Sequence, residues 1–183
     1  MQNMELPASW RLETAGEDFN LVVPLPCPMS EARCLAVTAA SWVREAAGGF
    51  ARIRWPNHVL LEGQPVCAIQ CRATAAGEIV FTFRPDVSVL PVSAEAFRSA
   101  VCRAAARDLA GFPENYSTLL AIYCEGCDTV MKHVDVTYRG MPLYGFAFAV
   151  DRHGGLMVMT QESRTVVTIY GGEARVVPRE GEE

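Results

Sequence analysis

The sequence predicts an α+β protein: a mixed sheet with helices packed on it, followed by a small β-barrel. Three observations carry this. Apolar runs closed by proline and glycine recur between residues 19 and 83 in the manner of buried strands. Three stretches carry apolar residues at helical spacing. After about residue 130 only short strands and glycine turns remain. With 50% of 183 residues apolar, the chain can bury a core, so disorder is not its default state.

Each element follows from its local pattern. Trp10 and Leu12 alternate with Arg11 and Glu13, as in a short edge strand. Phe19–Leu25 reads as a buried strand stopped by Pro24, Pro26 and Pro28. Ser30 is placed to cap a helix whose stripe is Ala32, Leu35, Ala36, Ala39, Val43 and Ala46 and whose stop is Gly48-Gly49. Strands follow at Ala51–Trp55, Val59–Leu61 and Val66–Cys71, the last two joined by a turn at Glu62-Gly63-Gln64-Pro65, and again at Glu78–Phe83. A second helix runs from a Ser93 cap through Phe97, Val101, Ala104, Ala105 and Leu109 to Gly111 and Pro113. A third begins near Glu114 and carries Leu119, Leu120, Ile122 and Tyr123 before Gly126. The barrel strands are Val134–Tyr138, Phe146–Val150, Leu156–Met159 and Thr165–Tyr170, punctuated by Gly140, Gly154-Gly155 and Gly171-Gly172. The expected organisation is a first domain over 1–130, the barrel over 131–178 and a solvated tail over 179–183.

Charge narrows the partners. The 16 basic residues stand against 21 acidic ones for a net charge of -5, which argues against a nucleic-acid-binding face. No apolar run approaches the roughly 18 residues of a membrane span, and the first 20 residues lack a basic-then-apolar leader, so a cytoplasmic protein without a membrane partner is expected. The 7 cysteines are read as free thiols, Cys34, Cys67 and Cys102 lying in apolar stretches. Lys132 is the only lysine, so chemistry that needs an amine before that point has none.

The run Arg54-Trp55-Pro56-Asn57-His58 then Gln64-Pro65-Val66-Cys67-Ala68-Ile69, in this order of elements, resembles the catalytic domain of biotin protein ligases. The stretch from Gly145 through Asp151-Arg152-His153-Gly154-Gly155 to Gly172-Glu173-Ala174 is similar to that family's C-terminal SH3-like barrel. The resemblance covers roughly residues 19–177. In that family the motif is Lys-Trp-Pro-Asn-Asp, with a second lysine ahead of a small-Gly-Ile turn.

The resemblance implies a site for biotin and ATP, and the residues needed can be checked one by one. Joining a carboxylate to the α-phosphate of ATP gathers negative charge, which calls for a glycine-rich backbone cradle and fixed cations. The family carries a Gly-Arg-Gly-Arg-x-Gly loop before the strand that corresponds to residues 19–25, where this sequence has only Gly16 among Glu13, Glu17 and Asp18. Arg54 replaces the motif lysine and keeps a cation with a planar fork. The second lysine falls at Pro65, which has neither charge nor an N–H. His58 replaces the motif acid, and Ala68 replaces a glycine that lets biotin approach the backbone. No catalytic residue and no metal ligand is therefore assigned, and biotin or ATP enters by resemblance only.

Candidate ligand-binding residues are Arg54, Trp55, Asn57, His58 and Ala68. Trp55 and Asn57 also admit a purely structural reading, as a core anchor and a turn residue. Cys124 and Cys127 have redox or zinc-knuckle spacing with no second pair at a matching distance, and Cys67 and Cys71 share one strand face. His133 and His153 read as exposed turn residues, and no Gly-x-Ser-x-Gly elbow occurs. The expectation is a non-ligating member of the fold, a pseudoenzyme, that binds a small carboxylic acid or a protein partner. The alternative is a divergent biotin or acyl ligase that borrows its loop from a partner. A homodimer paired through an edge formed by strands 66–72 and 78–84 is compatible with either.

Overall fold

The computed structural model describes residues 6–171 and 174–178, without the side chains of Ser30, Glu31 and Ala174. The expected Ser30 cap, the Gly172-Glu173 signature and the tail over 179–183 lie outside the described residues.

The first sheet is built from β1 (Arg11–Ala15), β2 (Asp18–Pro24), β3 (Arg52–Arg54), β4 (His58–Leu61), β5 (Gln64–Ala73) and β6 (Glu78–Pro85), in the order β1-β2-β6-β5-β4-β3. Every ladder in it is antiparallel, and the mixed character expected of it reduces to one isolated parallel bridge between Ile53 and Cys127. The cause is local: tight turns join successive strands, and only a helical crossover can join parallel neighbours. That crossover exists, from β2 through a 3₁₀ helix (Met29–Cys34) and α1 (Leu35–Ala47), but it delivers β3 to the far edge of the sheet.

The edges are β1 and β3, so the edge expected from strands 66–72 and 78–84 is corrected. Those residues are β5 and β6, each flanked on both sides, because the β1–β2 hairpin docks on β6 and the β3–β4 hairpin on β5. The turn expected over Glu62–Pro65 shortens to Glu62-Gly63, with Gln64 and Pro65 already in β5. The β4–β5 register shifts between Val59 and Leu60, where Pro65 offers no donor to the ladder.

Alternation divides this sheet. Phe19, Leu21, Ile79, Phe81, Phe83 and Ile69 point to a buried face covered by helices, and Arg54, His58, Ala68 and Arg84 point to an open face. On the buried face lies α1, with α2 (Ala94–Ala110) packed against α1 and α3 (Tyr116–Gly126) against α1 and β3. The α-helical part of the crossover begins at Leu35, later than a cap at residue 30 would start it, because the residues after Pro28 first wind as the 3₁₀ turn. Ser93 caps α2 as expected, its Oγ accepting from Ala96 N at 3.2 Å. α3 begins at Tyr116 and leaves Ile122 44% exposed, so its buried stripe is Leu119 and Tyr123.

The second sheet comprises β7 (Lys132–Tyr138), β8 (Met141–Val150), β9 (Leu156–Thr160), β10 (Val166–Ile169) and β11 (Ala174–Pro178), in the order β10-β9-β8-β7-β11, all antiparallel. At Gly145 a Cβ would strike the Met159 carbonyl of the neighbouring strand, so only glycine lets β8 and β9 approach this closely. One hydrophobic cluster runs from Phe81 and Trp42 to Val136, Leu156 and Ile169, joining both sheets through the helices. No described helix is long and apolar enough to cross a membrane.

Candidate functional site

The turn between β3 and β4 is held from three sides. Trp55 is buried, its backbone N–H donating to Thr129 Oγ1 at 3.0 Å and its Nε1 to the Gly154 carbonyl at 3.0 Å. Tyr123 donates its hydroxyl to the Pro56 carbonyl at 2.8 Å, and burial, then Cys127, pushes that phenol well above its usual range, which keeps the donor protonated. Asn57 donates from Nδ2 to the Ile69 carbonyl at 2.9 Å, closing the edge of β5 where β4 has ended. Three neighbouring residues thus tie one turn to α3, to β5 and to the β8–β9 turn.

The remaining candidates divide by strand alternation. Arg54 and His58 sit directly opposite each other across β3 and β4, both on the open face. Among the described residues Arg54 makes no ion pair. Ala68 is exposed on the same face, opposite Arg84, which lies 3.6 Å from Asp18. Pro65 is exposed opposite Leu60. Gly16 forms the two-residue turn of the β1–β2 hairpin at φ +65°, so the glycine that precedes β2 closes a hairpin. Asn57 and Trp55 belong to the turn beneath, and only Arg54, His58 and Ala68 present side chains to the open face.

A cleft of about 450 Å³ opens on the other side of Asn57. Its walls come from the 3₁₀ helix and α1 (Ala32, Ala36, Val37), from β5 and β6 (Cys71, Ile79) and from Pro56. Arg33, His153 and Tyr170 stand around it. The Arg33 guanidinium lies 5.3 Å from the centre of the Tyr170 ring. Tyr170 donates its hydroxyl to Asp151 Oδ2 at 3.0 Å, while Asp151 Oδ1 accepts the N–H groups of His153 and Gly155, each at 2.8 Å. Sequence reasoning missed Arg33, Asp151 and Tyr170. Asp151 ahead of Gly154-Gly155 carried a signal, since Asp commonly caps such turns with its own carboxylate. Nothing local marked Arg33 and Tyr170, which meet only because the two sheets do.

The cysteines are free. Burial pushes the Cys67 thiol up to about 12 and that of Cys102 to about 11, so both stay protonated at neutral pH. Cys124 and Cys127 lie at the end of α3, half-buried and buried, and among the described residues no three metal-ligating groups converge.

No family model matches the sequence, and no curated protein matches it. Solved structures do. A biotin protein ligase from Aquifex aeolicus superposes with a TM-score of 0.71 at 13% identity over 89% of this chain and 83% of that one. A biotin protein ligase-like protein of unknown function from a Silicibacter species gives 0.65 at 14% identity, covering 84% of this chain and 77% of the other. A biotin acetyl coenzyme A carboxylase synthetase from Helicobacter pylori, with bound biotinylated ATP, gives 0.52 at 14% identity over 82% and 73%. At such identities the likeness speaks for architecture, and it agrees with the element order read from the sequence: this chain has the biotin protein ligase fold.

Proposed function

We propose that this chain is a biotin protein ligase-like protein that binds a small carboxylic acid on the open face of its first sheet and does not activate it. The observation that carries this reading is the cross-strand pair Arg54 and His58, a guanidinium and an imidazole on one face of an exposed strand end, with no carboxylate of the described residues paired to Arg54. A guanidinium fork matches a carboxylate in two parallel hydrogen bonds. Activation demands more. The triphosphate would need a glycine cradle and a second cation, whereas Gly16 turns a hairpin and Pro65 stands at the second lysine's place. Ala68 adds a methyl to the floor where the family's glycine leaves bare backbone, which supports an acid other than biotin.

The test uses the purified chain with biotin, lipoate or octanoate, with and without ATP. Pyrophosphate exchange should stay at the level of a protein-free blank, while at least one acid binds by titration calorimetry and loses affinity by about tenfold in Arg54→Met. Exchange by the chain alone would overturn the reading. Exchange that appears only when cell extract is added would replace it with that of a ligase completed by a partner.

A further inference from the structure

The cleft behind Asn57 has the makings of a second site, separate from the open face and independent of the function proposed for it. Its depth is apolar, with Ala36 and Val37 on one wall and Cys71 and Ile79 on the other. Its volume of about 450 Å³ falls within the roughly 300–1,000 Å³ typical of small-molecule pockets. Polar groups gather at the rim rather than inside, and they differ in how fully they are used.

Both oxygens of Asp151 are engaged. Two backbone N–H groups and the Tyr170 hydroxyl occupy its oxygens, and it serves to fix the Tyr170 ring. His153 Nε2 accepts from Arg152 Nε at 3.0 Å, which in the neutral ring leaves Nδ1 as a donor. Arg33 lies over the Tyr170 ring. Among the described residues no carboxylate pairs with it, and all five of its N–H donors lack a protein acceptor. The cation is therefore steered by an aromatic platform that is itself locked, which lowers the ordering cost of meeting an anion. Asn57 spends its Nδ2 on Ile69 and so offers Oδ1, an acceptor, at the edge of the cleft.

We propose that this cleft binds a small organic anion with an apolar body and one terminal carboxylate, the carboxylate on Arg33 and the body against Val37 and Ile79. Apolar walls alone would take any greasy molecule; the Arg33 guanidinium at the mouth, with no carboxylate paired to it among the described residues, selects one anionic end. Because one wall belongs to the first sheet and its helices and the rim to the β8–β9 and β10–β11 connections, an occupant bridges the two sheets.

The experiment follows hexanoate binding to the full chain by NMR, with 1-hexanol and acetate as the probes that lack the charge and the body. Hexanoate should shift the methyl resonances of Val37 and Ile79 and show NOEs to them, at an affinity above that of either control. Arg33→Met, which keeps an apolar stem, should weaken hexanoate by about tenfold and leave 1-hexanol unchanged. Ala32→Phe, which fills the cleft from the 3₁₀ wall, should remove both. Arg54→Met should leave these methyl shifts intact, although it weakens acid binding at the open face. Absence of methyl shifts in the folded wild type, or equal hexanoate affinity in Arg33→Met, would overturn the proposal. Methyl shifts lost in Arg54→Met but kept in Arg33→Met would overturn it too, while leaving the open-face reading standing.

Discussion

Trp55 shows how one side chain can look like a ligand residue and act as a fastener. Its indole is buried, and its Nε1 reaches the Gly154 carbonyl on the β8–β9 turn, so the motif tryptophan ties the first sheet to the second. Trp55→Phe keeps most of the apolar volume and removes that one donor, which should cost about 1–2 kcal/mol. Trp55→Ala should cost about 3–5 kcal/mol, since it also opens a cavity. Urea unfolding of the two variants separates the terms, and a Trp55→Phe variant as stable as the wild type would show that the hydrogen bond carries none of the tie. Arg54, one position earlier, has the opposite fate: alternation turns it outward, where its charge is available.

At the scale of elements, the first sheet is strong in the middle and weak at β1. That strand pairs only with β2, and its Arg11 reaches over β2 to Glu78 on β6 at 2.7 Å. The hydrogen bond from Arg11, with its charge, holds the Glu78 carboxyl below the ordinary value. A carboxyl lowered on folding contributes stability that is present above its unfolded pKa and is lost as pH falls through the folded one. Protection of the β1 amides, measured relative to their intrinsic exchange rates, should therefore fall as acid neutralises Glu78, and Glu78→Gln should abolish that pH dependence. An unchanged profile in Glu78→Gln would place the acid sensitivity elsewhere.

The helices depend on a different device. Trp42 on α1 donates Nε1 to the buried Asp108 on α2 at 3.0 Å, and Arg107 spans Asp108 at 2.7 Å and Glu45 at 2.9 Å. Arg107 is largely exposed, so most of the stabilisation sits in the buried Trp42–Asp108 bond. Asp108→Ala strands an indole N–H in the core and should cost about 2–4 kcal/mol by thermal or urea unfolding. Arg107→Ala should cost less than 1 kcal/mol, near the value of a typical surface pair. The reverse order would mean that the exposed arm carries the clamp.

For the whole molecule, the consequential fact is that two antiparallel sheets share one core and meet around the Trp55–Asn57 turn. That meeting creates two different surfaces, an open polar face with Arg54 and His58 and a cleft with Arg33 at its mouth. Each could take an acid by its own chemistry. The variants Arg54→Met and Arg33→Met distinguish them without disturbing the fold, because both guanidiniums are exposed.

The amino-acid sequence by itself determined the order of helices and strands through β10, the Ser93 cap, the buried strand faces and the exposure of Arg54, because period-2 and helical alternation and capping act within a few residues, whereas β11 and the 3₁₀ turn carried no such signal. Only the tertiary structure decided which strands form the edges, which carbonyls Asn57 and Trp55 reach, and that Arg33 and Tyr170 stand together. Strand order and contact between sheets depend on pairing of residues far apart in the chain, and no local pattern encodes the partner.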